Sequence, residues 1–418
     1  MNVDTVRAID FWAGVPLCAV ASGGLRLLRW IGLGPKNRPL KRALFLELSE
    51  MGSAILVDPA MRKLRRDSGA ELYFAIFKRN KASIDLLKTI PEANVFTLRD
   101  DSLWSLAIDT LKFFAWTRRM KIDTVIDLEL FSRFTALMTG FSGAIRRVGF
   151  YAFHHEGLYR GEMLSHRVAY NPHIHIAKNF LALTYAAASS EAEVPFSKTF
   201  FTDADTALET VTFSGAERER MVAKVKESVP SFNPKSQFLV LINPNASEFL
   251  PQRRWMPEKY IELIRMILKS APSAIVLITG APAEHEGAEQ IRNAVGDARC
   301  VNFAGKTKFA DLPLLYEVSA FMVTNDSGPA HFASVTRMPT YVLFGPETPK
   351  LYGALRNSTP ITAALACSPC VAATNHRKTC CTDPVCLKTI SAEMVFEKIR
   401  PRLQDGRVTL ANESLQTT

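Results

Sequence analysis

The sequence has no arginine-rich block and no RNA-binding signature, which sets nucleic acid aside as a partner. It also lacks an uninterrupted apolar run of transmembrane length. The uncharged stretch FWAGVPLCAVASGGL covers residues 11–25, is broken by Pro16 and Gly23-Gly24, and falls short of the roughly 20 residues a spanning helix needs. An even complement of cysteines is missing too. With seven cysteines and a beginning that does not read as a secretory signal, a secreted disulfide framework is not expected. Cys18 and Cys300 stand alone and read as small buried hydrophobes. The other five, Cys367, Cys370, Cys380, Cys381 and Cys386, crowd into one short segment. Their spacing suggests a tetrahedral zinc site, but reduced thiols tightening an irregular loop in the cytoplasm are the preferred reading, and no metal is assigned.

What is present is a globular composition. The chain has 418 residues, 47% of them hydrophobic and 22% charged, which is too long for one ordinary core and suits two domains. A net charge of +10 favours anionic partners such as nucleotide phosphates or an anionic membrane surface. In residues 1–40, Trp12 and Trp30 flank the uncharged stretch, and Arg26, Arg29, Lys36, Arg38, Lys41 and Arg42 lie close by. That combination suits an amphipathic segment on the inner face of a bacterial cytoplasmic membrane; a helix packed on the protein itself is the alternative.

From residue 41 onward, short apolar runs alternate with amphipathic ones. Residues 43–48, 71–77, 94–98, 123–130 and 146–150 read as strands, with helices between them, including one at 53–66. Residues 151–172 break the rhythm, and a helix follows at 173–188. A segment at 196–236 contains no buried strand. The alternation restarts with strands at 238–243, 274–280, 299–305, 320–325 and 340–345. The expected fold class is therefore α/β, with two Rossmann-like domains (41–195 and 237–403) facing a central cleft, an inter-domain segment at 196–236 and a tail at 404–418. Polar residues gather at the carboxyl ends of the second set of strands, where open parallel sheets bind ligands. Among them are Asn243, Glu284 and the stretch TNDSGPAH at 324–331. There Asp326 or Ser327 can cap a helix, Gly328 permits close backbone approach, Pro329 fits a first turn, and His331 stands in that turn. Such a constellation suits a diphosphate. An ordinary strand-to-helix cap with an incidental histidine is the plainer account.

NDSGPAH followed by a strand and FGPETP resembles glycosyltransferase family 9, the lipopolysaccharide heptosyltransferase family. So do LSEMGSAILVDPAMRKLRR, INPNASEFLPQRRWMPEKYIELI, TGAPAEHE and CSPC…CL, which occur in the family's order across most of residues 43–400. The resemblance implies a GT-B fold and an inverting, metal-independent transfer with no cofactor, from a nucleotide-sugar donor (ADP-heptose for the heptosyltransferases) to a lipid-linked glycan acceptor such as lipopolysaccharide core. Carried over by residue, it implies donor binding by Asn243, Arg253, Glu284, Asp326, Ser327, Gly328 and His331. Glu284 could instead be a helix-start carboxylate, and Arg253 a solvated charge.

One departure stands out. Where the family has an aspartate base after the first strand, this chain has Ser53, which has no useful basicity alone. Glu50, three residues earlier, is the candidate replacement, so Glu50 and Ser53 are the catalytic candidates. His154, His155 and Arg160 are the acceptor candidates, with His166 as a further possible base. A degenerate homologue that binds a sugar nucleotide or lipid-linked glycan without transfer is the alternative that Ser53 keeps open. Asp203-Ala-Asp205 imitates a metal motif but sits away from any strand end.

Overall fold

Short strands of almost unbroken burial, each followed by a helix, organise the chain into two units, Met1–Ala207 and Leu208–Thr418. The structure is a computed structural model that describes residues 3–31, 39–130, 132–152, 159–189, 197–247, 250–373 and 377–405.

The first unit holds β1 (Arg42–Leu46), β2 (Glu71–Phe77), β3 (Val95–Leu98), β4 (Thr124–Asp127), β5 (Arg146–Tyr151) and β6 (His166–Ala169). They form one six-stranded sheet in the order β3-β2-β1-β4-β5-β6, parallel at every pairing. Its helices are α1 (Val3–Trp12), α2 (Gly14–Trp30), α3 (Met51–Leu56), α4 (Asp58–Ser68), α5 (Lys81–Leu87), α6 (Leu103–Arg119), α7 (Arg133–Phe141) and α8 (Ile176–Ala188). Leu44 of β1 pairs with Tyr73 on one side and Val125 on the other. All three join Leu46, Ala75, Leu98 and Phe113 in the core. A strand buried on both faces reads as a continuous apolar run, which is why β1 was visible in the sequence.

The second unit repeats the plan with β7 (Phe238–Asn243), β8 (Ala274–Ile278), β9 (Cys300–Asn302), β10 (Phe321–Asn325), β11 (Thr340–Phe344) and β12 (Ser358–Thr362), ordered β12-β11-β10-β7-β8-β9. Its helices are α9 (Gly215–Lys226), α10 (Pro257–Ser270), α11 (His285–Val295), α12 (Leu312–Glu317), α13 (Gly328–Ala333), α14 (Pro349–Tyr352), α15 (Val385–Lys388) and α16 (Ala392–Asp405). Helix α10 buries Tyr260, Leu263, Ile264, Ile267 and Leu268, a spacing of three and four that lays one apolar stripe on the sheet. In each sheet the central neighbours, β1 with β4 and β7 with β10, are where the chain reverses its direction of travel. Ligands bind at such switch points.

The structure departs from the sequence expectations in three places. Strands β6 and β12 were not anticipated. Both are sheet edges with mostly half-exposed or exposed residues, so neither carries an apolar run. The helix expected at 53–66 is two helices, because Asp58-Pro59 opens a new first turn at Val57 and proline cannot donate the N–H that a continuous helix requires. At the amino end, the stretch read as too short to span a bilayer belongs to a longer helical run. Residues Arg7–Trp30 are long and apolar enough to cross a membrane by length and composition. Pro16 falls in the first turn of α2, where its missing N–H costs little, and bonds from Ala13 to Ile9 and from Leu17 to Ala13 keep the run helical.

That run is also docked on the unit. The Asp10 carboxylate accepts the backbone N–H groups of Arg133 and Phe134, both at 2.9 Å, at the start of α7. Cys18 is buried against Ala136 and Met163, and the Glu162 N–H donates to Ser22 Oγ at 2.8 Å. Gly161 sits at φ +61 with α2 so close that a Cβ would meet Ser22 Oγ at 2.2 Å. Both properties demand glycine. The opposite side of the run leaves Trp12, Leu17, Val20, Leu27 and Trp30 exposed.

Candidate functional site

At the carboxyl ends of β1 and β4, four carboxylates gather. Glu47 is buried one residue beyond β1, Asp127 is buried at the end of β4, Glu129 follows two residues on, and Glu50 is the residue before α3. Their fields overlap. Burial first, and then the charges of Glu129, Glu50 and Asp127, hold the Glu47 carboxyl well above its usual range. Burial also lifts Glu129, pushed up to about 7 despite the N–H groups it accepts. Asp127 is raised by burial and partly relieved by Arg160.

Glu129 has a definite structural task. One oxygen accepts the backbone N–H groups of Leu48 and Ser49, both at 2.9 Å, and the other accepts the Ser49 hydroxyl at 3.1 Å. It therefore clamps the two residues that precede Glu50. The Glu50 carboxylate in turn accepts the Ser53 hydroxyl at 3.1 Å. Ser53 is buried and Glu50 half-buried, so the serine orients the carboxylate. Of the two, only Glu50 can take a proton near neutral pH.

Arg160 occupies a place that the acceptor reading did not foresee. Its guanidinium is wholly buried and ion-paired with Asp127. It also donates to the carbonyls of Ser132 and Phe150 and to the Thr135 hydroxyl, at 3.1 to 3.2 Å. A charge so enclosed stabilises the carboxyl cluster from beneath and presents nothing to an acceptor. His154 and His155 lie outside the described residues. His166 is on β6 with Nδ1 2.9 Å from Ser165 Oγ, its basicity lowered by burial and then by Arg146 and Arg147.

In the second unit, Arg253 and Asp326 come together. The Arg253 guanidinium lies 3.7 Å from the Asp326 carboxylate, and both side chains are almost buried. Arg253 Nε has no hydrogen-bond partner among the described residues. A guanidinium held out of water with a donor to spare is a strong anion site. Its position is set by Asn325, which sequence reasoning passed over. The fully buried Asn325 amide accepts the Trp255 N–H and the Tyr260 hydroxyl, both at 3.0 Å, and donates to the Pro244 carbonyl at 2.8 Å. This ties the loop bearing Arg253 to the end of β10. The sequence signal was the Asn-Asp pair at a strand end, where a buried amide can satisfy donors and acceptors at once.

The remaining donor candidates fall nearby in the fold with different tasks. Asn243 ends β7 and donates to Thr279 at 3.3 Å, bracing neighbouring strand ends. Ser327 precedes α13 but makes no side-chain cap; its hydroxyl donates back to the Asn325 carbonyl at 3.3 Å. Gly328 lies close to its neighbour: a Cβ there would meet the Phe332 ring at 3.0 Å. His331 is buried in α13, which at six residues is too short to offer much dipole, so the cationic contribution falls to Arg253. Glu284 accepts the Ala281 N–H at 2.6 Å, stabilising its own turn beside β8.

Other polar features are accounted for locally. Asp203 pairs with Lys178 at 2.7 Å, and Asp205 accepts the Thr202 N–H at 2.8 Å. The cysteines are free, and among the described residues no group of His, Cys, Asp and Glu has the geometry of a metal site. A cavity of about 490 Å³ lined by Arg218, Phe232, Phe238 and Val318 lies at the opposite end of β7 from Asn243 and is apart from these residues.

Residues 111–380 match the profile described as Glycosyltransferase family 9 (heptosyltransferase). The chain is 32% identical to lipopolysaccharide heptosyltransferase 2 of Salmonella typhimurium over a quarter of its length and 30% of that protein's. It is 28% identical to lipooligosaccharide heptosyltransferase 2 of Campylobacter jejuni over 42% of its length and 55% of that protein's. The alignments thus span from about a third to about half of these curated relatives. Among solved structures, ADP-heptose lps heptosyltransferase II of E. coli superposes with a TM-score of 0.65 at 18% identity, covering 88% of this chain and 99% of that one.

Proposed function

This chain belongs to glycosyltransferase family 9, and from that premise we propose that it transfers a heptose from ADP-heptose onto a lipid-linked glycan, inverting the anomeric centre and using no metal. The fold and the relatives make it a heptosyltransferase-like glycosyltransferase; the donor, the acceptor and the stereochemistry are our reading.

The observation that carries this reading is the buried Arg253 beside Asp326 at the switch point of the second sheet, with a guanidinium donor left over for an anion. In the proposed reaction the sugar's C1–O bond breaks with its electron pair leaving on the diphosphate oxygen, and the guanidinium stabilises the negative charge that develops there. Glu50, oriented by Ser53, takes the proton from the acceptor hydroxyl as its oxygen forms the new bond to C1 from the opposite face. The Glu129 clamp on Leu48 and Ser49 and the Ser53 hydroxyl hold the Glu50 carboxylate in place for that transfer.

For location, we propose a peripheral place at the inner face of the bacterial cytoplasmic membrane. The exposed apolar side of α1 and α2 supports it, while the Asp10, Cys18 and Ser22 contacts favour a helix lying along the protein over one that leaves it to cross a bilayer.

The test is turnover of a panel of nucleotide sugars that includes ADP-heptose, with and without inner-core lipid A acceptor and with and without a chelator. Acceptor-dependent release of ADP that survives chelation is the expected result. Tight nucleotide-sugar binding with no transfer to any acceptor would instead identify a binding protein, and loss of activity on chelation would remove the metal-independent part.

A further inference from the structure

Helix α6 packs Leu106, Phe113, Phe114 and Trp116 on the core of the first unit and still carries large apolar side chains on its outward side. Its buried positions are Ser105, Asp109, Phe113 and Thr117, three of them polar. Each polar group is satisfied within the unit. Asp109 is held by Arg99 through Nε and a terminal nitrogen, both at 2.8 Å, Thr117 donates to the Ser142 carbonyl at 2.8 Å, and Ser105 closes the capping box with Ser102. The outward side is apolar as well. Trp104 is 81% exposed, Leu111 69% and Ile108 45%. At 100° per residue these three fall within one narrow stripe that continues through exposed Ala115. Ordinary surface helices are polar on that side, and a run of exposed large apolar side chains marks an interaction surface.

The fold brings that stripe to the same side of the sheet as the amino-terminal run. The connections β3 to β4 and β4 to β5, which carry α6 and α7, are right-handed crossovers in the same direction and so lie on one face. Helix α7 touches α6 as well as α1 and α2. Most of the exposed large apolar side chains of the described residues sit on these elements: Trp12, Val20 and Trp30 on α1 and α2, Trp104 and Leu111 on α6, and Phe141 at the end of α7. Basic residues border the stripe. Lys112 is on its flank, and Arg118 and Arg119 end the helix, all exposed. A second copy of a chain with net charge +10 would meet like charge there; an anionic bilayer surface meets the opposite charge, and tryptophans beside apolar and basic residues suit the headgroup boundary.

We propose that the outer face of α6 inserts Trp104, Ile108 and Leu111 into an anionic lipid surface, so that the first unit rests on the membrane through α6 together with α1 and α2. This rests on the membrane reading above and extends it, from an amino-terminal attachment to a broad face that fixes how the unit is oriented on the bilayer.

The experiment is co-sedimentation of the full chain with vesicles of phosphatidylethanolamine and phosphatidylglycerol, comparing the parent with a Trp104→Glu, Leu111→Glu double variant. Phe200→Glu serves as the control, since Phe200 is 98% exposed but lies outside these elements. All substituted side chains are exposed, and circular dichroism checks that the fold is kept. The double variant should lose about tenfold or more in vesicle affinity, given the transfer energy of two large apolar groups, while Phe200→Glu binds like the parent. Equal binding by the double variant and the parent overturns the proposal. If that equality is accompanied by loss of binding in Trp12→Glu, Trp30→Glu, the amino-terminal reading survives without it. Failure of the parent itself to bind vesicles removes both readings. A parent that is dimeric without lipid and a double variant that is monomeric, with unchanged vesicle binding, gives the face to a second copy.

Discussion

Replacing Glu129 with glutamine should make the first unit more stable at neutral pH than at acid pH, relative to the parent. The Glu129 carboxyl has an ordinary value of 4.5 and is pushed up to about 7 by burial and by its acidic neighbours. Because the native value lies above the unfolded one, the folded chain holds a proton between about pH 4.5 and 7 that the unfolded chain has released. Stability therefore falls as pH rises through that window and is flat above it. A shift of this size corresponds to at most about 3.4 kcal/mol, and the half-exposed position of the residue reduces the expected figure to about 1–3 kcal/mol. Glutamine preserves an acceptor for the Leu48 and Ser49 N–H groups and cannot ionise. Below about pH 4, parent and variant compare neutral side chains in both states, so any difference there measures packing and hydrogen bonding alone. The change in that difference between pH 4.5 and 8 isolates the buried charge. Denaturant unfolding followed by tryptophan fluorescence reports mainly this unit, since Trp255 is alone among the five tryptophans in lying outside it. Parallel stability profiles for parent and Glu129→Gln across pH 4.5–8 would refute the reasoning and show the carboxyl to be ordinary in its titration.

Three other outcomes are expected. Glu50→Gln should lower turnover by about 10²–10⁴ with nucleotide-sugar affinity almost unchanged, and Ser53→Ala by less; parent-like kinetics in Glu50→Gln would move the base elsewhere, with His154, His155 and His166 next to test. Arg253→Ala or Asp326→Ala should weaken binding of the nucleotide sugar by about ten- to a hundredfold, equivalent to roughly 1.5–3 kcal/mol for a charged hydrogen bond, as read by calorimetry; unchanged affinity in both would take the pair out of the donor site. Arg160→Met should destabilise the first unit by about 3–5 kcal/mol, because Asp127 would be left buried and unpaired, and the added substitution Asp127→Asn should recover much of the loss; a fully additive double variant would deny the coupling.

The alternation of buried strands and amphipathic helices, and the ordered motifs from LSEMGSAIL to CSPC, were enough to establish two parallel sheets and the family. Central strands such as β1, β2 and β7 could be read directly because burial on both faces forces an unbroken apolar run. Edge strands β6 and β12 escaped because half-exposed strands tolerate polar residues. The same limit applies to the site. Polar residues at strand ends pointed to Asp326, since the parallel sheet makes those ends the places where chemistry can be presented, while the resemblance pointed to Arg253 and, through the departure at Ser53, to Glu50. Sequence order could not reveal that Glu129, 79 positions beyond Glu50 in the numbering, clamps the backbone before it, or that Arg160 is spent on Asp127. Nor could it reveal that α6 leaves Trp104, Ile108 and Leu111 outside while it packs Phe113 and Trp116 on the core. Those facts depend on which strands are neighbours and which helix face meets the sheet. Pairing β1 with β4 brings distant carboxylates within each other's field, and burial then decides their charge. A linear pattern determines which residues are available and which segments can pack; only the packed structure decides which charges lose water, which find a partner and which side of a helix is left outside.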